Sequence, residues 1–156
     1  MKYVEIIQVF LSGILAYISA KLGILSTVLM LLGIMMVVDY VTGMVASKKE
    51  ALDHPGDSAY GWSSKKGAKG IIKKVGYLCV IAVAMVVDYV IVNVAGTLGY
   101  EMPVTAVFGL AVAFWYLLNE LLSITENAGR MGAPVPKKLT QCIAVLKDKL
   151  EMDEEE

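Results

Sequence analysis

The sequence predicts an all-α protein, a small integral membrane helical bundle with three or four transmembrane helices and an amphipathic cytoplasmic C-terminal helix. Hydrophobic residues make up 57% of the 156-residue chain, whereas roughly 45–50% is typical of soluble domains. They gather in runs long enough to cross the hydrocarbon core of a bilayer, which is about 30 Å thick. Lysines crowd the ends of these runs, as they do at the cytoplasmic face of membrane proteins.

The first apolar segment covers about residues 4–20 and is interrupted by small and polar residues. Its apolar core is slightly short for a full crossing, so a short span and an interfacial helix both stay open. This choice decides between three and four spans. A cleavable signal peptide is disfavoured, because Glu5 lies where positive charge is expected.

Two longer apolar runs predict spans at about 22–45 and 71–94. Between them, residues 46–70 are rich in Asp, Pro, Gly, Ser and Lys, which is typical of a loop. Five lysines lie at the start of the later span, namely Lys65, Lys66, Lys69, Lys73 and Lys74. The positive-inside rule places this loop in the cytoplasm.

A last span is predicted at about 103–125, after a turn that contains no Lys or Arg and therefore lies on the outer face. Pro103 suits the start of a helix, where its missing N–H breaks no intrahelical hydrogen bond. The chain then divides into a transmembrane domain, 1–128, and a cytoplasmic segment, 129–156.

The cytoplasmic segment combines an amphipathic helix with an acidic tail. Helical spacing puts five residues on one face, namely Leu139, Cys142, Ile143, Leu146 and Leu150. A helix over 137–150 with such a face is able to lie on a membrane surface.

Three carboxylates within the predicted spans are the first candidate functional residues. A charged side chain inside a membrane costs several kcal/mol unless it is paired, protonated or hydrated. We expect Asp39 and Glu120 on the cytoplasmic side, within reach of Lys73 and Lys74, and Asp88 nearer the outside. They are expected to form interhelical pairs or to line a pore after assembly. Alternatively, the first two simply mark the inner ends of shorter spans.

A polar stripe marks the end of the last span. Its members recur at spacings of one, three, three and one, which places them on one side of a helix. They are Asn119, Glu120, Ser123, Glu126 and Asn127.

The pentapeptide Met-Val-Val-Asp-Tyr occurs twice, at 36–40 and at 85–89. Inverted repeats of transporters bring such copies to opposing helices. Since both copies use common residues of this Val- and Met-rich chain, we interpret the repeat as a coincidence.

The sequence gives no sign of an enzyme, a cofactor site or a metal site. It has no Walker loop, dinucleotide glycine pattern or nucleophile elbow. His54 lies in a polar loop with no Cys or second His at a metal-ligand spacing. No nucleic-acid partner is expected, because membrane topology explains the lysines and no base-reading module accompanies them.

Three ordered blocks resemble the bacteriophage holin family that also includes toxin-secretion holins. The first is Asp39-Tyr-Val-Thr-Gly43, and the second is Ser63-Ser-Lys-Lys-Gly-Ala-Lys-Gly70, followed by a span that contains Asp88. The third runs from Asn119 to Asn127 and precedes Gly132-Ala-Pro-Val-Pro136 and a basic amphipathic helix. Positions that match the family pattern are Asp39, Gly43, Lys74, Asp88, Glu120, Ser123, Glu126 and Asn127.

This resemblance implies a multi-pass protein of the bacterial host's cytoplasmic membrane that contacts lipids and self-associates into homo-oligomers. It implies lesions through which endolysin or another protein cargo escapes, without direct binding, so that the host lyses. Two other functions stay open. One is an ion- or proton-coupled transporter that uses Asp39, Asp88 and Glu120 as a relay. The other is a non-conducting scaffold that recruits a partner through residues 137–156.

Overall fold

The structure, a computed structural model, describes residues 3–10, 12–13, 23–57, 59–102 and 106–152. Within these ranges all regular secondary structure is helical, which confirms the predicted fold class. The principal helices are α1 (Ile24–Asp53), α2 (Ser64–Thr97), α3 (Val107–Arg130) and α4 (Lys137–Met152). Residues 3–10 and 12–13 are also helical. The rest of the predicted first segment, Pro103 and the tail residues 153–156 lie outside the described residues.

Three helices of the described chain, α1, α2 and α3, are long and apolar enough to cross a membrane. They contain 30, 34 and 24 residues. At 1.5 Å per residue even the shortest is about 36 Å long, which exceeds the hydrocarbon thickness of a bilayer.

The connection between α1 and α2 is shorter than the predicted loop over 46–70, because both helices continue past their apolar stretches. At the end of α1, Lys49 pairs with Asp53 one helical turn later, a spacing that supports a helix. At the start of α2, the Ser63 hydroxyl accepts the backbone N–H of Lys66 at 3.2 Å. Such an N-cap hydrogen bond satisfies one of the unpaired amides of the first turn.

α3 is the central helix, since it packs against α1, α2 and α4, whereas α1 and α2 have few contacts with each other. α1 runs parallel to α3, because its start lies near Gly109 and its end near Arg130. α2 runs antiparallel to both, because Asp88 contacts Gly109 and the earlier Lys74 contacts Glu120. Tyr77 of α2 stacks on Tyr116 of α3 with ring centroids 3.9 Å apart. The buried core consists of Leu25, Leu32, Met36, Tyr77, Ile81, Ala113 and Leu117.

α4 turns back along α3 after Gly132, which adopts a left-handed conformation with φ of 90°. Ile143 of α4 is buried, and Lys147 Nζ lies 5.1 Å from the centroid of the Trp115 ring. Part of the apolar face predicted for this helix is therefore used inside the molecule. Other apolar residues on α4, such as Leu139 and Leu146, remain exposed.

The bundle has two chemically different ends. We call the end that carries Lys48, Lys49, Lys65, Lys66 and Lys69 the lysine-rich end. The other end, around residues 97–102, we call the opposite end.

Candidate functional site

A buried ion cluster joins the three long helices on the side of the lysine-rich end. Lys74 of α2 lies between the other two helices, with its Nζ 2.9 Å from Asp39 Oδ2 of α1. The same Nζ pairs with Glu120 Oε2 of α3. Only 14% of the Lys74 side chain, 17% of Asp39 and 4% of Glu120 are exposed. Because these charges are largely removed from water, each depends on its partner.

Asn127 completes the hydrogen bonding of this cluster. Its Nδ2 donates to Asp39 Oδ1 at 3.1 Å and to the Thr42 hydroxyl at 3.3 Å. Its Oδ1 accepts an N–H from Arg130 Nη1 at 2.9 Å. Both carboxylate oxygens of Asp39 are therefore used, one by an ammonium group and the other by an amide.

Arg130 of α3 also binds α1 at the lysine-rich end of the contact between these two helices. Its guanidinium binds the Glu50 carboxylate through two hydrogen bonds, Nε to Oε1 at 2.7 Å and Nη2 to Oε2 at 2.8 Å. This paired geometry fixes both side chains. The Arg130 side chain is 40% exposed and that of Glu50 29%, so solvent weakens the pair relative to the Lys74 cluster.

Asp88 is a separate buried carboxylate that caps α3. Its Oδ1 accepts the N–H of Phe108 at 2.9 Å, and its Oδ2 accepts the N–H of Gly109 at 2.7 Å. The first amides of a helix lack intrahelical partners and form the positive end of its dipole, so a carboxylate suits this position. A Cβ on Gly109 would lie 3.2 Å from Asp88 Oδ2, so glycine permits this close approach.

The candidate residues are thus not all gathered in one place. Asp39, Lys74, Glu120 and Asn127 form the ion cluster, and Asp88 lies 14 positions beyond Lys74 on α2. That interval corresponds to about 21 Å along the helix axis. The remaining candidates divide as follows: Gly43 and Ser123 line a cleft beside the cluster, Asn119 is half-buried, and Lys73 and Glu126 are exposed.

The predicted polar stripe therefore divides between the interior and the surface. Glu120 and Asn127 are buried against neighbouring helices, whereas Glu126 points outward. Lys73 lies outside the ion cluster, with its Nζ 5.5 Å from the Tyr77 ring centroid.

Sequence reasoning missed four residues that hold these sites together: Thr42, Glu50, Gly109 and Arg130. Glu50 and Arg130 are 80 positions apart, and nothing local in the sequence pairs them. Gly109 carried a weak signal, because a glycine in the first turn of a span is a point where another chain segment can approach closely.

The fold and these contacts define a class, a polytopic helical membrane protein whose spans are joined by buried charges. Residues 16–148 match the model of the bacteriophage holin family. This chain belongs to that family. The match covers all three long helices and most of α4.

Several bacterial proteins are similar to this chain. An uncharacterized protein of Halalkalibacterium halodurans is 37% identical over 132 residues, which cover 85% of this chain and 87% of that protein. An uncharacterized protein of Listeria monocytogenes is 35% identical over 143 residues, covering 92% and 86%. An uncharacterized 14.9 kDa protein in the nagH 3′ region of Clostridium perfringens is 32% identical over 112 residues, covering 71% and 70%. No solved structure matches this chain.

Proposed function

We propose that this protein is a holin of the bacterial cytoplasmic membrane, with its lysine-rich end and its C-terminus in the cytoplasm. It self-assembles and opens lesions through which endolysin or another protein cargo leaves, and the host lyses. The observation that carries the proposal is the buried ion cluster of Asp39, Lys74 and Glu120 inside an apolar bundle of this family. The endolysin passes through the lesion without binding directly to this protein.

The cluster gives the bundle two ways to satisfy the same charges. In the single molecule, Lys74 neutralises carboxylates from both neighbouring helices. If the helices separate during assembly, these groups become hydrated and line a water-filled opening, where a charged side chain is no longer costly. The bundle can therefore change from a dry interior, in which the charges pair with each other, to a hydrated contact between helices.

The outer surface of the bundle suits assembly in a membrane. About a fifth of the apolar stretch of α2 is buried inside the molecule, at 22%. The rest of that stretch is available to lipid or to neighbouring copies. Since lipid is as apolar as these side chains, helix contacts can be exchanged at small cost.

The charge of the cluster offers a trigger. Two carboxylates and one ammonium group give a formal charge of −1 when all three are ionised. Moving one charge through the membrane potential changes the energy by about 2.3 kcal/mol per 100 mV. Collapse of the potential is therefore expected to shift the assembly equilibrium and to advance lesion formation.

The transporter alternative is less well supported by the geometry. A proton or ion relay needs groups that can exchange protons or ligands along a path. Asp88 lies about 21 Å along α2 from Lys74, and both of its oxygens accept backbone N–H groups of α3. Asp88 is therefore committed to the helix cap.

The proposal is tested by inducing the protein in a bacterium with and without a cytoplasmic endolysin. Viability and release of a cytosolic reporter enzyme are followed over time. A holin stops growth at a defined time and brings rapid lysis and reporter release when the endolysin is present. Saturable movement of one small solute by intact cells, with no reporter release, would contradict the proposal.

A matched pair of variants connects this experiment to the ion cluster. Lys74→Met removes the bridging cation, whereas Lys73→Met removes an exposed neighbour of the same charge. We expect Lys74→Met to change the time of lysis and Lys73→Met to leave it close to that of the unmodified protein. Immunoblots of membrane fractions show whether each variant inserts, and equal behaviour of two inserted variants would remove Lys74 from the mechanism.

A further inference from the structure

An open cleft lies at the lysine-rich end, between α1, the first turns of α2 and the last turns of α3. Its volume is about 310 Å³, which is at the small end of the range for ligand pockets. Ser47, Lys66 and Arg130 contribute polar groups from the three helices, and Tyr40 and Met44 contribute apolar surface. The cleft therefore combines features suited to an amphipathic ligand.

The acidic and guanidinium groups of the cleft are already paired. Asp39 is the one carboxylate among the described residues that line it, and Lys74 binds one of its oxygens while also pairing with Glu120. Arg130 is bound by Glu50 through two hydrogen bonds. Together with Lys66, these residues give the lining two cations and one carboxylate, a formal charge of +1.

Lys66 is the lining cation that is not bound to a carboxylate, and its charge also attracts Glu50 at longer range. Its Nζ donates to the backbone carbonyls of Gly61 at 3.1 Å and Ala59 at 3.5 Å, and both of these acceptors are neutral. Lys66 takes no part in the ion pairs that Lys49, Lys74 and Arg130 form in the described part of the chain. An ammonium group has three donors, so Lys66 brings a positive charge and a further N–H to the cleft.

The cleft also lies at the level where a membrane surface is expected. It extends to Ser47, where the apolar part of α1 ends and Lys48 follows. Trp62 lines the cleft and is 41% exposed, as is common for tryptophan at the headgroup level. A Cβ on Gly67 would lie 3.0 Å from the Tyr40 hydroxyl oxygen and 3.3 Å from Trp62, so the glycine lets these rings approach α2.

We propose that this cleft binds the headgroup of an anionic phospholipid, with the phosphodiester held by Lys66. The start of α2, which is the positive end of its helix dipole, lies at the same end of the bundle as the cleft. Tyr40 and Met44 accommodate the glycerol and the first methylenes. Basic pockets between transmembrane helices are suited to such headgroups. The site requires membrane insertion and does not depend on lesion formation.

The test measures lipid contact at Trp62. The full chain with Trp115→Phe, which leaves Trp62 as its single tryptophan, is reconstituted into vesicles of phosphatidylcholine with a minor fraction of phosphatidylglycerol. Bromine is placed on one lipid or the other at equal total content. We expect brominated phosphatidylglycerol to quench Trp62 severalfold more strongly than brominated phosphatidylcholine.

Two pairs of variants separate a cleft from general surface charge. Lys66→Gln should reduce the preference at least threefold, whereas Lys65→Gln, an exposed neighbour outside the lining, should preserve it. Gly70→Leu fills the cleft without changing charge. Gly76→Leu is its control on the same helix, because nothing lies within 4 Å of the Cβ position there. Circular dichroism and size-exclusion chromatography in detergent confirm that each variant is folded.

Three results would overturn the proposal. One is equal quenching by the two brominated lipids, and another is equal loss of the preference in Lys66→Gln and Lys65→Gln. The third is competition by soluble glycerol phosphate at millimolar concentration, since it would show a site for free anions instead of a lipid. Because growth and lysis are not measured, these results are independent of the holin proposal.

Discussion

Asp39 and Asp88 occupy the same place in two copies of the pentapeptide Met-Val-Val-Asp-Tyr, yet the structure satisfies them by different means. The Asp39 carboxylate accepts hydrogen bonds from the Lys74 ammonium group and from the side-chain amide of Asn127. The Asp88 carboxylate accepts hydrogen bonds from two backbone N–H groups in the first turn of α3. Identical local sequence therefore does not give the two carboxylates a common environment.

The effect of losing a partner depends on what satisfies the buried carboxylate. The Lys74 cluster depends on attraction between full charges, so removing Lys74 leaves two carboxylates buried and without their cation. The Asp88 cap balances a carboxylate against partial charges at a helix end, and its loss leaves neutral amides. We therefore expect the two regions to respond unequally to substitution.

The largest effect is expected for Lys74→Met. The substitution leaves the carboxylates of Asp39 and Glu120 without their cation, and breaking a buried pair in this way costs about 3–5 kcal/mol. The free energy of unfolding is measured by titration with sodium dodecyl sulfate in mixed micelles, followed by circular dichroism.

Lys73→Met is the matched control for this measurement, because Lys73 is exposed and outside the cluster. Adding Asp39→Asn and Glu120→Gln to Lys74→Met removes the unpaired charges and should recover much of the lost stability. A Lys74→Met protein as stable as the unmodified chain would show that the cluster does not hold the bundle together.

An intermediate effect is expected for Asp88→Ala. The amides of Phe108 and Gly109 lose their acceptor, and a buried unsatisfied group costs about 1–3 kcal/mol. Asp88→Asn keeps one acceptor oxygen and should cost less. Hydrogen exchange checks the location of the change, because faster exchange should be confined to the first turn of α3. Unchanged exchange at both amides would argue against the cap.

The smallest effect is expected for Glu50→Gln, which weakens an ion pair that is partly exposed to solvent. Such pairs contribute about 1 kcal/mol or less. The same unfolding titration should show a small loss that shrinks further at high salt, because exposed charges are screened. A loss as large as that of Lys74→Met would mean that burial does not distinguish these two pairs.

The sequence alone defines much of the architecture, because its signals are local. The long apolar stretches predict α1, α2 and α3, and the amphipathic spacing predicts α4 over nearly its full length. The ends of α1 and α2 were less predictable. The lysine-rich segments beside the apolar stretches remain helical through side-chain pairing and capping, as Lys49 and Ser63 show.

The sequence predicted which carboxylates belong to the sites, but it did not predict the residues that each of them contacts. Intramembrane carboxylates are costly, so the sequence by itself identified Asp39, Asp88 and Glu120 as residues that need partners. It could not choose between Lys73 and Lys74, which are adjacent in the chain but differ in direction by about 100° on a helix.

The sequence is therefore sufficient to predict the helices, their suitability for a membrane and the residues that cannot face lipid alone. The partners of these residues depend on long-range packing, because Lys74 contacts carboxylates that are 35 and 46 positions away. Such contacts depend on which faces of three helices meet. Either a cation or a helix end can satisfy a carboxylate, so only the packing of α3 against α1 and α2 selects between them.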